Sequence, residues 1–214
     1  NGIVTAPTAV DVVLFSIPTS PFAINAYFTE FLKNPFTTPF DAYFASAGVD
    51  GVLGLGPNAV GPGPSIPTQA LPGNLSQGVL INMPAQELQF GPSSLLPTPG
   101  NNISLNGSPI TDLYVSIDNG STVAVPSIVD SGGVMGTIPS SVIGGSLPAN
   151  TLISVYDDAA KTHLLYSYNT NNYQPTVISS GLMNTGFLPF SEQPIYISYA
   201  PAGVGTTIFD HVGT

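Results

Sequence analysis

The stretch Val125-Pro-Ser-Ile-Val-Asp-Ser-Gly-Gly-Val-Met-Gly-Thr-Ile-Pro139 places a single carboxylate between two apolar runs. Residues 127–129 are typical of a buried strand, and Asp130 follows them at the start of a turn of small residues. A carboxylate in this setting needs hydrogen-bond donors, because burying an unpaired charge is costly. We expect the Ser131 hydroxyl and the glycine amides after it to be those donors.

This pattern resembles the catalytic loop of pepsin-like aspartic proteases, in which apolar residues precede Asp-Ser/Thr-Gly. The likeness continues without a gap through Thr137 to Pro139. Three further segments resemble landmarks of that family in the same order along the chain. They are Val49-Asp-Gly-Val-Leu-Gly-Leu-Gly56, Ile103-Ser-Leu-Asn-Gly-Ser-Pro-Ile110 and Thr206-Thr-Ile-Phe-Asp210. The resemblance therefore covers most of the chain.

The resemblance implies an all-β, bilobal, pepsin-like (acid protease) fold with few short helices. The segment Pro92-Ser-Ser-Leu-Leu-Pro-Thr-Pro-Gly100 is the most linker-like part of the chain, so we place the lobe boundary there. Residues 1–95 would be the remainder of the N-terminal lobe, and residues 96–214 the C-terminal lobe that carries the Asp-Ser-Gly loop. The aspartate loop and flap tyrosine of the first lobe have no counterpart in the sequence, so we expect that lobe to be incomplete.

The resemblance also gives roles to individual residues. Asp130 would be one catalytic aspartate. The residues expected to support its loop are Ser131, Gly132, Gly133 and Thr137. In the family, each aspartate loop is threaded through a ψ-shaped arrangement closed by an apolar strand that ends in glycine. Leu53 and Gly54 would close the first lobe in this way, and Gly186 the second.

Two departures from the family pattern bear on the site. The family has Ser or Thr at the position of Gly133, and that hydroxyl bonds the outer oxygen of the aspartate. Its loss is expected to leave Asp130 less constrained and the activity weak. The family also has apolar residues before the closing glycine, whereas this chain has Asn184 and Thr185.

The implied chemistry requires two carboxylates about 3 Å apart that share one proton, because like charges that close cannot both ionise. One carboxylate acts as a base on water, and the protonated one polarises the scissile carbonyl. The sequence has one Asp-Ser-Gly, and no other aspartate lies in such a motif. We expect the twin on a segment before Asn1, which is removed, retained as a separate chain or absent from this sequence.

Two other functions remain open. The first is a pepsin-like module without catalysis that binds peptides or host factors. The second, more distant, is self-association in which each copy gives one Asp130. Other enzyme classes fit poorly, because the sequence has no Gly-x-Ser-x-Gly elbow and no phosphate-binding glycine loop before a helix.

The charge balance excludes several partners. The net charge is −10, with two lysines and no arginine. Such a chain repels phosphate backbones, so nucleic-acid binding is not expected, and it lacks a basic patch for a membrane surface. Few cations also mean few partners that keep carboxylates ionised, so we expect the fold to tolerate acid.

Other composition features exclude further site types. Cysteine is absent, so neither disulfides nor thiolate metal sites hold the fold. His163 and His211 form no metal-ligand constellation, and we expect no metal and no cofactor. No apolar run is long enough for a transmembrane helix, so membrane insertion is not expected.

This composition, together with the variant loop, is similar to the aspartic-protease domain of mycobacterial PE_PGRS cell-surface proteins. The resemblance implies an aspartic endopeptidase that is secreted or held at the cell surface or cell envelope. Its partners would be a peptide or protein substrate and its own N-terminal segment, the latter if that segment is a separate chain.

The local pattern also predicts secondary structure. Residues 23–32 and 140–143 are expected to form short helices. Asn-Gly pairs predict two-residue hairpins at residues 106–107 and 119–120. The aspartates at residues 157–158 are expected at a solvated hairpin tip. The many aromatic residues over 22–44 are interpreted as core packing, with a peptide-binding wall as the alternative.

Overall fold

The computed structural model describes residues 8–15, 22–29, 53–57 and 66–210 of the 214-residue chain. Within these ranges the strands form three sheets, of two, five and seven strands, and the two α-helices are short. The prediction of an all-β, pepsin-like fold with few short helices is therefore confirmed.

The first sheet is an antiparallel hairpin of β1 (Thr8–Phe15) and β2 (Phe22–Thr29), which pair along their whole length. The helix predicted over residues 23–32 is therefore wrong. The segment contains Ile24, Tyr27 and Phe28, and β-branched and aromatic residues favour strands. Every residue of Phe22–Thr29 has a pairing partner in β1, which a short isolated helix does not offer.

The remaining strands are numbered in chain order. They are β3 (Gly78–Asn82), β4 (Glu87–Phe90), β5 (Asn102–Asn106), β6 (Ile110–Ile117), β7 (Thr122–Ile128), β8 (Thr137–Pro139), β9 (Leu152–Tyr156), β10 (Leu164–Asn169), β11 (Thr176–Ile178), β12 (Met183–Asn184), β13 (Ile195–Ser198) and β14 (Thr206–Asp210). Most are short, as expected of a chain with 23 glycines and 22 prolines.

The seven-stranded sheet has the order β10-β9-β6-β7-β12-β8-β11. The hairpin predicted with its tip at residues 157–158 is confirmed by the antiparallel pairing of β9 with β10. At one point in this order β12 lies between β7 and β8, which are consecutive strands of the chain. This point positions the candidate site.

The five-stranded sheet has the order β4-β3-β13-β14-β5. Its strands come from both sides of the lobe boundary predicted at residues 95/96. All five residues of β3 are buried, in keeping with its inner position. The sheet therefore joins distant parts of the chain, and the division into residues 1–95 and 96–214 stays a prediction.

The two predicted Asn-Gly turns differ in outcome. The hairpin at residues 119–120 is confirmed, since β6 pairs with β7 across a turn in which Asp118 and Asn119 have φ of 47° and 62°. The hairpin at residues 106–107 is wrong, because β5 pairs with β14 and β6 with β7 and β9. The chain passes from one sheet to the other there, with Gly107 at φ +101°.

Helical structure is limited to short pieces within the described ranges. The helix predicted over residues 140–143 is confirmed as α1 (Ser140–Ile143), and α2 (Leu188–Glu192) follows β12. Single 3₁₀ turns cover Pro67–Ala70, Gly73–Ser76 and Ser93–Leu95. No helix among the described residues is long and apolar enough to cross a membrane.

One apolar core is shared by the five- and seven-stranded sheets. Fully buried side chains from the seven-stranded sheet include Leu113, Val115 and Ile153. Ile195 and Phe209 reach the same cluster from the five-stranded sheet. Because removing apolar surface from water is the main stabilising effect in folding, this cluster holds the two sheets together.

Asp210, the last residue of β14, is a fully buried carboxyl group. With the Asn102 amide nitrogen turned toward it, that nitrogen donates to Asp210 Oδ1 at 2.7 Å, while Oδ2 has no hydrogen-bond partner among the described residues. Burial raises the pKa of Asp210 above its ordinary value of 3.8, and hydrogen bonds from Thr98 offset only part of this rise. The native state therefore holds this proton more tightly than the unfolded chain does.

Replacing Asp210 by asparagine is expected to remove a pH dependence of stability. The Asp210 contribution is fully present below pH 3.8 and is lost as the pH rises through the raised native pKa. The Tm of Asp210→Asn minus that of the wild type should therefore be more positive near pH 7 than near pH 3. Calorimetric scans at both pH values measure this difference.

Asp158→Asn is the control with the opposite sign. Hydrogen bonds from the side chain and backbone of Thr162 lower the pKa of Asp158. Its contribution is present above pH 3.8 and is lost as the pH falls through the lowered native pKa. The Tm difference for this variant should be more negative near pH 7 than near pH 3. A Tm difference for Asp210→Asn that is the same at both pH values contradicts the interpretation.

Candidate active site

The loop over residues 129–136 connects β7 to β8, and β12 lies between these two strands. β12 runs parallel to β7 and antiparallel to β8. Just beyond β12, the Thr185 N–H donates to the Ile128 carbonyl at 3.1 Å. The loop therefore leaves one strand, passes over a third and enters the second. This is the ψ-shaped arrangement.

Asp130 lies at the start of this loop, and its side chain is half-buried. Its Oδ1 accepts a hydrogen bond from the Gly132 N–H at 3.0 Å, and its Oδ2 accepts one from Asn184 Nδ2 at 2.8 Å. Its own N–H donates to Thr185 Oγ1 at 3.2 Å. Because both carboxyl oxygens and the backbone are held, the side chain has one defined orientation.

These contacts correct two expectations. The loss of a hydroxyl at position 133 was expected to leave Asp130 less constrained, and this is wrong because Asn184 supplies the second donor. Ser131 was expected to bond the carboxylate, but its half-buried side chain makes no hydrogen bond with the described residues. The Gly132 amide does donate to the carboxylate, whereas the Gly133 amide donates to the Asp130 carbonyl at 3.1 Å.

The two departures from the family pattern are in contact with each other. A Cβ added at Gly133 would collide with the side-chain amide of Asn184. That amide is also fixed at its other end, because Asn184 Oδ1 accepts the Gly186 N–H at 2.8 Å. The missing side chain at position 133 therefore provides the space that the Asn184 amide occupies.

Two threonines hold β12 and the residues after it in place. Thr137 Oγ1 accepts the Asn184 N–H at 3.1 Å and donates to the Leu182 carbonyl at 3.4 Å. Thr185 is buried, and its Oγ1 donates to the Gly186 carbonyl at 3.1 Å while it accepts the Asp130 N–H. Thr137 was expected to support the loop directly. Its hydroxyl instead bonds the backbone of residues 182 and 184, and Asn184 in turn bonds Asp130.

The backbones of Gly136 and Gly186 are packed directly against each other, without room for a side chain on either residue. Gly186 is buried at φ +66°, and an added Cβ would meet the Tyr173 hydroxyl, the Val134 carbonyl and the Gly136 N–H. Gly136 is buried at φ +70°, and its Cβ would meet the Asn184 carbonyl and the Gly186 N–H. Only glycine combines this conformation with such close backbone contact.

Tyr173 supports the loop from behind, and sequence reasoning missed it. Its side chain is buried, and its hydroxyl donates to the Val134 carbonyl at 3.0 Å. Its ring packs against Tyr168 and Phe187, with centroids 5.0 Å and 5.8 Å away. Burial raises the pKa of Tyr173 to about 12, so the hydroxyl stays a donor at neutral pH. A lone tyrosine in a polar stretch gave no pattern that could have indicated this contact.

Val134, which lies on the same loop as Asp130, and Phe187 are exposed apolar residues joined by a backbone hydrogen bond. Val134 has φ +51°, which is rare for a β-branched residue, and 58% of its side chain is exposed. The Phe187 N–H donates to the Val134 carbonyl at 3.0 Å, and this bond and the Tyr173 hydroxyl hold the strained backbone. The carbonyl is thus directed inward and the side chain outward.

Leu53 and Gly54 are not part of a strand, and both are exposed. The residues before them lie outside the described part of the chain. Their role in closing a first lobe stays a prediction. Within the part that the structure describes, no second carboxyl group is hydrogen-bonded to Asp130 and no cluster of three metal-ligating residues occurs.

The remaining acidic side chains of the described part have structural partners or face solvent. Asp157 accepts from His163 Nδ1 at 2.6 Å at the tip of the β9–β10 hairpin. Lys161 donates to backbone carbonyls of the turn between β6 and β7 rather than to a carboxylate. Acidic groups of this region therefore depend little on cations.

Comparison with known proteins places this geometry in a family. Residues 1–207 match the family described as PE-PGRS C-terminal aspartyl peptidase-like domain. The chain belongs to this family. It is 68% identical over 212 residues to PE cleavage protein A of Mycobacterium tuberculosis, in strains CDC 1551 and H37Rv. It is also 68% identical over 211 residues to the protein of that name from Mycobacterium marinum.

The alignments cover 98–99% of this chain but only 37% of the length of those relatives. The prediction of a PE_PGRS-type aspartic-protease-like domain is confirmed. The family description supports a protease-like role for the domain.

Proposed function

We propose that this domain is part of an aspartic endopeptidase and that Asp130 is one of its two catalytic carboxyl groups. The observation that supports the proposal is the carboxyl group itself. It is half-buried on a threaded loop, and each of its oxygens accepts a hydrogen bond, from Gly132 and from Asn184. A group fixed in this way needs little reorganisation when a reaction begins, which favours catalysis.

In the proposed reaction, two carboxyl groups act on one water molecule and one peptide bond. The ionised carboxylate removes a proton from the water, whose oxygen attacks the carbonyl carbon of the substrate. The protonated carboxyl group polarises the carbonyl oxygen, and a proton passes to the leaving amine. No bond forms between enzyme and substrate, so Ser131 has no nucleophilic role.

The second carboxyl group is proposed to come from outside the described residues. None of the hydrogen bonds to Asp130 in the described residues involves another carboxyl group. The chain spans 37% of the length of its curated relatives. We place the twin aspartate on the rest of a longer protein or on a separate chain of it.

The substrate is proposed to be a PE protein, because the relatives carry the name PE cleavage protein A. Val134 and Phe187 are proposed to contact apolar side chains of the bound peptide, since both are exposed and Val134 lies on the same loop as Asp130. An exported substrate would place the reaction at the cell surface or in the cell envelope, or after secretion. Under this proposal, the protease processes proteins after export.

A pepsin-like binding module without catalysis is the alternative. It is favoured by one observation, that the described residues bring no twin carboxyl group to Asp130. Such a module would use the same exposed apolar residues to hold a peptide. Cleavage distinguishes the two functions, because only the peptidase changes the peptide.

The proposed function is tested with a longer form of the protein, of the length of its relatives, and with the 214-residue chain alone. Each is incubated with a peptide library, and products are identified by mass spectrometry with and without pepstatin. We expect the longer form to cleave, pepstatin to stop cleavage, and the short chain to be inactive. Peptide binding without cleavage by the longer form would favour the alternative.

A further inference from the structure

We propose that Asn184 is a positioning residue for Asp130 and that it does this in place of a side chain at position 133. This inference rests on the proposed function and adds to it the origin of the second hydrogen bond to the carboxyl group. Asn184 contacts Asp130 through its amide nitrogen, and it would act on the reaction only through Asp130.

The orientation of the Asn184 amide follows from its neighbours. The Gly186 N–H can only donate, so the amide oxygen must face it, and their separation is 2.8 Å. The amide nitrogen must then face Asp130 Oδ2, at 2.8 Å. The backbone of Asn184 is held as well, because its N–H donates to Thr137 Oγ1 at 3.1 Å. The donor is therefore fixed at three points.

Positions 133 and 184 compete for one space. A Cβ built on Gly133 would overlap Asn184 Oδ1 most closely and would lie 2.8 Å from Asn184 Nδ2. A serine at position 133 would therefore need the space of the Asn184 amide, and we expect its hydroxyl to donate to Asp130 once that amide is removed. Either residue is able to supply the donor, but the site has no room for both. The absence of a side chain at position 133 therefore makes possible the hydrogen bond from Asn184 to Asp130.

Because the donor is Asn184, the orientation of the Asp130 carboxyl group depends on a distant segment of the chain. A donor at position 133 would belong to the same loop as Asp130, whereas Asn184 lies 54 residues further along and at the end of β12. The orientation of Asp130 is thereby tied to the insertion of β12 between β7 and β8. Loss of this insertion would remove the donor together with the strand.

The test uses the longer form of the protein with four changes at the pair. They are Asn184→Ala, Asn184→Asp, Gly133→Ser, and Gly133→Ser combined with Asn184→Ala. Asn184→Asp keeps the shape and the acceptor for the Gly186 N–H but replaces the donor by a second negative oxygen. Asp130→Asn is measured beside them, and thermal unfolding of every variant reports its folded fraction.

We expect kcat to fall about tenfold in Asn184→Ala, on the scale of one hydrogen bond to a charged group. It should fall about a hundredfold in Asn184→Asp, because like charges repel. KM should stay within about twofold in both, because Asn184 acts through Asp130 rather than on the substrate. Gly133→Ser alone should lose both stability and kcat through the clash. The double variant should regain kcat to within about threefold of the wild type.

The outcomes separate this inference from the proposed function. If Asp130→Asn cleaves as well as the wild type, the proposed function fails. If Asp130→Asn is inactive while folded Asn184→Asp keeps the wild-type kcat, only the positioning role fails. If the double variant is no faster than Asn184→Ala, the exchange between positions 133 and 184 is wrong. If Asn184→Ala does not fold, the kcat of Asn184→Asp is used to test the positioning role.

Discussion

Replacement of Asp130 by asparagine is expected to lower kcat/KM of the longer protein by at least about a thousandfold, as for other residues that carry the chemistry. Asparagine has nearly the same shape and keeps an oxygen for the Gly132 N–H. Its amide group cannot act as a base or share a proton with a second carboxyl group. It also turns an NH₂ group toward the NH₂ group of Asn184, where the wild type has a donor facing an acceptor.

Asp112→Asn is the matched control for this change. Asp112 is exposed on β6, in the same sheet, and its replacement removes the same charge. We expect it to cleave as the wild type does. Thermal unfolding must show that Asp130→Asn remains folded under assay conditions. Unchanged cleavage by a folded Asp130→Asn would contradict the catalytic role of this carboxyl group.

Gly136→Ala is expected to destabilise the domain by about 3 kcal/mol or more, through strain and overpacking together. Gly136 has φ +70°, and a Cβ there would meet the Asn184 carbonyl and the Gly186 N–H. Both neighbours are backbone atoms, which cannot rotate away. Relief of the clash requires the loop and the residues around β12 to separate, so activity should be lost even where the protein still folds.

Gly144→Ala separates the two causes. Gly144 also has φ +70°, but nothing lies within 4 Å of an added Cβ. It follows α1 in the left-handed conformation, so the substitution should cost about 1 kcal/mol from backbone strain alone. Denaturant unfolding gives both values. Equal costs at the two positions would show that the close contact between the loop and β12 contributes nothing.

The local pattern of the sequence was sufficient where neighbouring residues decide the structure. The apolar run before Asp130 forms β7, and the turn at residues 119–120 joins β6 to β7 as its Asn-Gly pair indicated. The same reasoning placed the helix at residues 140–143. In each case the chain folds on residues within a few positions of each other, so that spacing and residue type carry the information.

Local patterns were insufficient where distant segments decide the structure. The turn at residues 106–107 has the same Asn-Gly signal as residues 119–120, yet β5 finds its partner in β14, about a hundred residues away. Within the predicted helix 23–32, the described residues 23–29 lie in β2, because pairing with β1 overrides the local preference. Long-range pairing of this kind leaves no mark on the short segment itself.

The candidate site shows the same division. Asp130 and its glycines could be identified from the motif, because the loop is local. Asn184 could be seen only as a departure from a pattern, as could Gly133. The contact between them spans about 50 residues, and only the threading of β12 shows that each departure compensates the other.

The most direct test of the central claim is a crystal structure of the longer protein. The quantity to measure is the distance from the Asp130 carboxyl oxygens to the nearest oxygen of a second carboxyl group. We expect about 3 Å, the separation at which two carboxyl groups share one proton. A structure in which no carboxyl group lies within hydrogen-bond distance of Asp130, or in which Asp130 has left Asn184 and faces open solvent, would contradict the claim.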